Sequence, residues 1–228
     1  MRGRFEGIFS PTGLTLFFLA VFIIMNVSSV RAEKDLPKVL IIGDSISIGY
    51  TPPLTEILKG KAIVEHNPGN AAHSQKGVEN IDEWVGDTQW AVIHFNHGLH
   101  DLKWVDDQGK NTRDRDAGHI QIPVEDYETN LEKIVERLEK TGAKLIFATT
   151  TPFPENVDGP LRDIDQVKIY NDAALRVMKK HDIAIDDLYS FVLPQIEKIQ
   201  RPNNVHFTEE GSKVLAEEVA RHIEKALD

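Results

Sequence analysis

The sequence predicts an α/β protein: a three-layer α/β/α sandwich in which helices cover both faces of a five-stranded parallel sheet. Three observations carry this reading. Short, continuously apolar runs recur along the chain, as in Val39-Leu40-Ile41-Ile42 and Leu145-Ile146-Phe147-Ala148, and such runs suit strands buried on both faces. Between them lie segments whose apolar residues repeat with helical spacing. The two kinds of segment alternate, as they do where each parallel strand is joined to the next through a helix.

Taken in order, Lys38 to Ile42 is the first strand, and Leu54 to Leu58 lies in a helical stretch after Pro52-Pro53. Ala62 to Glu65 is a second short strand, closed by the turn signal Asn67-Pro68-Gly69-Asn70. His73 to Trp84 reads as helix, with Val78, Ile81 and Val85 on one face, and Ala91 to Phe95 as the third strand. Asp101 to Ile122 is polar and charged and reads as a long loop or insertion. Val124 to Lys140 is strongly amphipathic, with Tyr127, Leu131, Ile134, Val135 and Leu138 in one stripe.

Lys144 to Ala148 is the fourth strand and enters a proline-rich loop over 149–160. Ile164 to His181 is helical through Val167, Tyr170, Ala174 and Val177, and Ile183 to Ile185 is a short fifth strand. Leu188 to Ile199 is irregularly helical around Pro194, and a last helix runs from the N-cap Thr208 to Leu227. Five strands suit the flavodoxin-like order 2-1-3-4-5. In such sheets the ligand site lies beyond the carboxyl ends of the strands, which gathers Asp44-Ser45, Asn67 to Asn70, Asn96 to Asp101 and Thr149 to Pro152 on one edge.

The first 32 residues stand outside this pattern. Arg2 and Arg4 precede the apolar run Leu14 to Val27, and Val30-Arg31-Ala32 offers a cleavage site, the layout of a secretory signal peptide. The run is short of the roughly 20 residues that span a bilayer, so cleavage is favoured over a retained anchor. The reading is a signal peptide over 1–32, one domain over 33–228, a secreted or periplasmic product, and no stable membrane insertion after cleavage. The net charge of −10 with no basic block argues against nucleic-acid binding. The chain has no cysteine, which excludes disulfides, thiolate nucleophiles and thiolate metal sites.

Two segments at opposite ends of the domain carry the chemistry. Ser45 follows the first strand in Gly43-Asp44-Ser45-Ile46, and His206 precedes the last helix in Asn203-Asn204-Val205-His206. A serine there is exposed at the sheet edge and also serves commonly as a helix cap. A histidine supplies the base that an unassisted hydroxyl lacks near neutral pH. Gly43-Asp44-Ser45 is not the Gly-x-Ser-x-Gly elbow, which weakens an α/β-hydrolase assignment.

With these blocks, Gly69 and Gly98-Leu99-His100-Asp101, the sequence resembles the SGNH (GDSL) hydrolases from residue 37 to the last helix. The resemblance implies a serine esterase or acetylesterase on a flavodoxin-like sandwich. Ser45 would be the nucleophile, His206 the base, and the N–H groups of Ser45 and Gly69 oxyanion donors. The chain departs from the family twice. His100 stands where an oxyanion-hole asparagine is expected, so either His100 or Asn96 donates. Asn203 stands where the family has an aspartate that orients the histidine, and Asp101, Asp186 and Asp187 are alternatives for that role.

His94, His97 and His100 recur at intervals of three, but they lie in and after a strand rather than along a helix face, so no metal is expected. No cofactor is expected either: Ser45-Ile46-Ser47-Ile48-Gly49 is a poor phosphate loop for a flavin. Trp84 and Trp90 read as core and Trp104 as a stacking residue beside the site, while Arg113-Asp114-Arg115-Asp116 reads as a solvated loop. The expected function is removal of an acyl group, acetyl foremost, from a carbohydrate or other polar ester. The alternative is a catalytically weak carbohydrate-binding protein on the same scaffold.

Overall fold

Lys38–Ile42 forms β1, and its alternate side chains enter two different cores in the computed structural model, which describes residues 36–228. The segment 1–32 lies outside the described residues. Leu40 and Ile42 join one apolar cluster, and Val39 and Ile41 join the other. This is the two-residue period of a strand covered on both faces. After β1 come α1 (Ser45–Ile57), β2 (Ile63–His66), α2 (Ser74–Val85) and β3 (Val92–Phe95). They are followed by β4 (Trp104–Val105), β5 (His119–Ile120), α3 (Val124–Glu139), β6 (Lys144–Ala148), α4 (Ile164–Lys180) and β7 (Ala184–Asp186). The chain closes with α5 (Leu188–Val192), a 3-10 turn, α6 (Ile196–Ile199) and α7 (Glu209–Leu227).

The main sheet has the order β2-β1-β3-β6-β7 and every pairing in it is parallel. Counted along the main sheet alone, this is the expected 2-1-3-4-5. The buried stripes of α2, α3 and α4 cover one face, through Ile81, Leu131, Ile134, Val167 and Val177. On the other face, α1 and α7 bring Tyr50, Leu54, Leu215 and Val219. Ile93, Phe95 and Phe147 fill the first core from the strands, with the Phe95 and Phe147 rings 5.4 Å apart in an edge arrangement.

Two elements differ from the sequence expectation. The first helix starts at Ser45 and runs through Pro52 and Pro53 instead of beginning after them. Proline removes the helical N–H that would reach four residues back. Here those carbonyls belong to Ile48 and Gly49, both exposed, so the lost bonds are open to solvent. Thr51 Oγ1 adds a bond to the Ser47 carbonyl at 2.7 Å. The segment 101–122 is also not wholly loop, because β4 and β5 pair antiparallel, Trp104 with Ile120 and Val105 with His119. Two-residue strands are below what an alternation pattern can reveal.

Candidate active site

Ser45 is the first residue of α1, immediately beyond the carboxyl end of β1. Asp44 caps the helix, its Oδ1 accepting the Ile46 N–H at 2.8 Å. The expected capping role therefore falls to Asp44, and the Ser45 hydroxyl is left for another partner. That partner is His206: Ser45 Oγ and His206 Nε2 are 2.8 Å apart, bringing together residues 161 positions apart in sequence. Val205 and Phe207 are buried on either side of the histidine and anchor its loop. Thr208 caps α7 by accepting the Gly211 N–H at 2.9 Å.

The ring is oriented by Asn204, not by Asn203. Asn204 Oδ1 lies 2.7 Å from His206 Nδ1 and 2.9 Å from the His206 backbone N–H. A backbone N–H can only donate, so the atom facing the histidine must be the amide oxygen. The ring Nδ1 must then donate to it, which leaves Nε2 with a lone pair toward the serine hydroxyl. Asn203 is exposed, takes a left-handed backbone at φ 51°, and offers its carbonyl to the Asp158 N–H at 2.8 Å. It is a turn residue.

The three alternative carboxylates are engaged elsewhere. Asp101 Oδ1 accepts the Ser74 N–H at 2.8 Å, at the start of α2. Asp186 Oδ2 meets His94 Nε2 at 3.0 Å, and Asp187 Oδ1 accepts from Thr149 Oγ1 at 2.9 Å. No carboxylate hydrogen-bonds the His206 ring among the described residues. Burial, followed by the charges of Arg201 and Arg162, holds the ring below its ordinary pKa. His206 is thus neutral at pH 7. For a hydrolysis that needs this ring as a base, the acid limb of kcat/KM is expected below the ordinary histidine value of about 6.5, with a plateau through neutral pH. A pH–rate profile on a soluble ester checks it.

Gly69 comes to the site through Asn67. The Asn67 Oδ1 accepts the Gly43 N–H at 3.0 Å, and the Ala71 N–H donates to the Gly43 carbonyl at 2.9 Å, so the loop is laced to the residue before Asp44. Asn67 Nδ2 also reaches the Gly69 carbonyl at 3.3 Å. Gly69 sits at φ 65°, a conformation glycine takes without strain. The Ser45 N–H is an orphan donor of the first helical turn, and the Gly69 N–H donates to no other group among the described residues. The sequence marks Asn67 only as a turn residue.

Asn96 has one amide N–H engaged within the sheet and a second with only long contacts, to Thr150 Oγ1 at 3.4 Å and the His97 carbonyl at 3.5 Å. Its Nδ2 donates to the Ala148 carbonyl at 2.7 Å, a bond that ties the ends of β3 and β6 together. His100 is the other candidate: its Nε2 is 3.9 Å from Asp44 Oδ2, and its pKa is pushed down to about 3, chiefly by burial and then by the charges of Lys103 and Arg162. It is a neutral imidazole with one N–H to give. Gly98 makes this turn possible, since at φ 149° a side chain there would drive its Cβ to 2.2 Å from Thr150 Oγ1.

The histidines at 94, 97 and 100 do not converge. His94 faces Asp186 and Tyr50, His97 Nδ1 faces the Ala72 carbonyl at 3.4 Å, and His100 faces Asp44. Asp186, Glu218 and His222 do place ligand-type atoms within 4.8 Å of one another, but Arg221 Nη2 stands 2.7 Å from His222 Nε2 and also bonds Glu218. A guanidinium already serves that cluster. Trp104 is not an open stacking platform, because the Arg115 guanidinium lies 5.0 Å over its ring. Arg113 and Arg115 are likewise more than solvated loop: Arg113 donates to the Val157 carbonyl at 2.9 Å, and Arg115 pairs with Asp163. Trp84 and Trp90 are core, as expected.

A serine and a histidine thus lie within hydrogen-bonding distance at the carboxyl edge of a parallel α/β/α sheet. The chain belongs to the GDSL-like Lipase/Acylhydrolase family, whose sequence profile it matches over residues 41–214, and it is a carboxylic ester hydrolase. A GDSL esterase/lipase of Arabidopsis thaliana is 26% identical over 217 residues, covering 82% of this chain and 86% of the relative. Among solved structures, the lipase/acylhydrolase from Enterococcus faecalis superposes with a TM-score of 0.68 at 20% identity, covering 85% of this chain and 98% of that one. The acetyl xylan esterase AlAXEase superposes with a TM-score of 0.63 at 16% identity, covering 82% and 99%. These neighbours share the α/β/α fold.

Proposed function

We propose that this chain is a secreted esterase that removes acetyl groups from carbohydrate or another small polar ester, with Ser45 as nucleophile and His206 as base. The observation that carries it is the 2.8 Å approach of Ser45 Oγ to His206 Nε2. Ser45 Oγ attacks the ester carbonyl carbon while its proton passes to His206 Nε2. The tetrahedral oxyanion is received by the N–H groups of Ser45 and Gly69 and by the His100 ring. The alcohol leaves with the proton from His206, and water, activated by the same nitrogen, releases the acid and restores the serine. Asn204 keeps the ring in the tautomer that this exchange needs.

The acyl group is read as small from the fold shared with an acetyl xylan esterase. The polar substrate is supported by export, read from residues 1–32, and by the fold shared with an acetyl xylan esterase. Among the described residues no helix is long and apolar enough to cross a membrane. To test the substrate class, acetate release from acetylated xylan is measured beside hydrolysis of p-nitrophenyl acetate and p-nitrophenyl palmitate. Acetate release and a preference of about 100-fold or more for the acetyl ester are expected, the scale of a pocket that excludes a long chain. A preference for palmitate would overturn the acetyl reading.

A further inference from the structure

Arg162 is a charge placed where charge is costly. Its side chain is only 9% exposed, and the one hydrogen bond it makes among the described residues runs from Nε to the Leu99 carbonyl at 3.1 Å. Among the described residues Arg115, Arg137, Arg176 and Arg221 pair with a carboxylate, whereas none lies within ion-pair distance of Arg162 or of Arg113 and Arg201, and of these three only Arg162 is buried. Burying a guanidinium without a carboxylate partner is unfavourable, and a bound anion would relieve that cost.

The bond to Leu99 fixes where this charge sits. Leu99 lies between Gly98 and His100 in the turn whose histidine reaches Asp44, next to Ser45. The positive charge is felt at Asp44, His100, Lys103 and His206, which surround the reacting serine. Asp44 does not consume it: one carboxylate oxygen holds the Ile46 N–H and the other faces His100. Lys103, half-buried, is a second cation with no carboxylate in ion-pair range among the described residues. Two unpaired cations thus flank the site of a chain whose net charge is −10.

We propose that Arg162 is an anion subsite of the active site, and that the ester substrate carries a carboxylate which its terminal nitrogens receive. The proposal rests on the reading of Ser45 and His206 as the reacting pair. With Nε spent on Leu99, the two Nη atoms are left as a planar fork, which matches the two oxygens of a carboxylate. The carboxylate belongs either to the acyl part, as in a half-ester of a dicarboxylic acid, or to the alcohol part, as in an acetylated acidic sugar.

Both sources are tested with matched pairs: p-nitrophenyl hemisuccinate against p-nitrophenyl butyrate, and 3-acetoxybenzoate against phenyl acetate. In the wild type, kcat/KM for at least one anionic ester is expected to exceed its neutral partner by about 10-fold or more, the scale of a charge-assisted bidentate contact. In Arg162→Gln the ratio is expected to fall to near unity, with partial recovery in Arg162→Lys, which also serves if the glutamine variant does not fold. Neutral esters preferred in both pairs, or a preference that survives in both variants, overturns the proposal. Binding of succinate and 3-hydroxybenzoate to the Ser45→Ala protein, by calorimetry at low ionic strength, separates the two readings. Anion binding that needs Arg162 supports the subsite even if no ester is cleaved. Absence of binding by either anion, with esters still cleaved by the wild type, overturns the subsite and leaves the serine reading standing.

Discussion

Ser45→Ala is expected to lower kcat for ester hydrolysis by roughly 10,000-fold or more, the scale seen when a serine nucleophile is removed. The protein should fold normally. The substitution removes one partly exposed hydrogen bond, to His206, worth about 1 kcal/mol, and alanine is well tolerated in a first helical turn. Asp44 keeps the cap on Ile46, so the start of α1 does not depend on the serine side chain. Steady-state kinetics on p-nitrophenyl acetate, with a thermal melt of the same preparation, checks both halves. A variant that retains a tenth of the wild-type kcat would mean that some other group attacks the ester.

The second large effect is expected at Asn204, and the contrast with its neighbour gives it force. Asn204→Ala removes the acceptor for both the ring Nδ1 and the His206 N–H. The ring is then free to rotate or to take the wrong tautomer, a fault worth roughly 100- to 10,000-fold in kcat. KM should change little, because Asn204 is not placed to touch substrate. Asn203→Ala loses no contact to the ring. Its cost is to stability, about 1 kcal/mol, because alanine lacks the short polar side chain that lets asparagine take the left-handed φ of 51°, and kcat should stay within a few-fold of wild type. Asn204→Asp keeps the acceptor and adds a negative charge, which favours the imidazolium and moves the acid limb of the pH profile upward. Equal losses of kcat at 203 and 204 would contradict the assignment.

Much of the fold was legible because a doubly covered parallel sheet writes its strands as plain apolar runs. Lys38–Ile42 and Lys144–Ala148 have the same bounds in sequence and structure. The stripe Tyr127, Leu131, Ile134, Val135 and Leu138 is fully buried. The first helix was harder to place because Pro52 and Pro53 read as a break, and only the exposure of Ile48 and Gly49 shows why the helix survives them.

The site was legible in its reacting atoms and less so in what holds them. The Ser45–His206 pair could be read from two short blocks. Family spacing pointed to Asn203, but spacing says nothing of backbone conformation, and the left-handed φ turns that side chain away. A local signal was present: an asparagine two residues before the histidine can close an Asx turn on its N–H, as Asn204 does. Asn96 is an attractive donor because an amide donates whatever the pH, but one of its two N–H groups is spent on the Ala148 carbonyl, on a strand that sequence could not set beside it. Asn67 and Arg162 act through contacts with Gly43 and Leu99, distant in sequence, and no motif marks them.

The most direct test of the central claim is covalent labelling with a fluorophosphonate, followed by mass spectrometry of the labelled peptide. The account predicts one adduct, on Ser45, formed rapidly by the wild type at pH 7 and lost in His206→Ala. Labelling of another residue, or labelling of Ser45 at the same rate without His206, would contradict it.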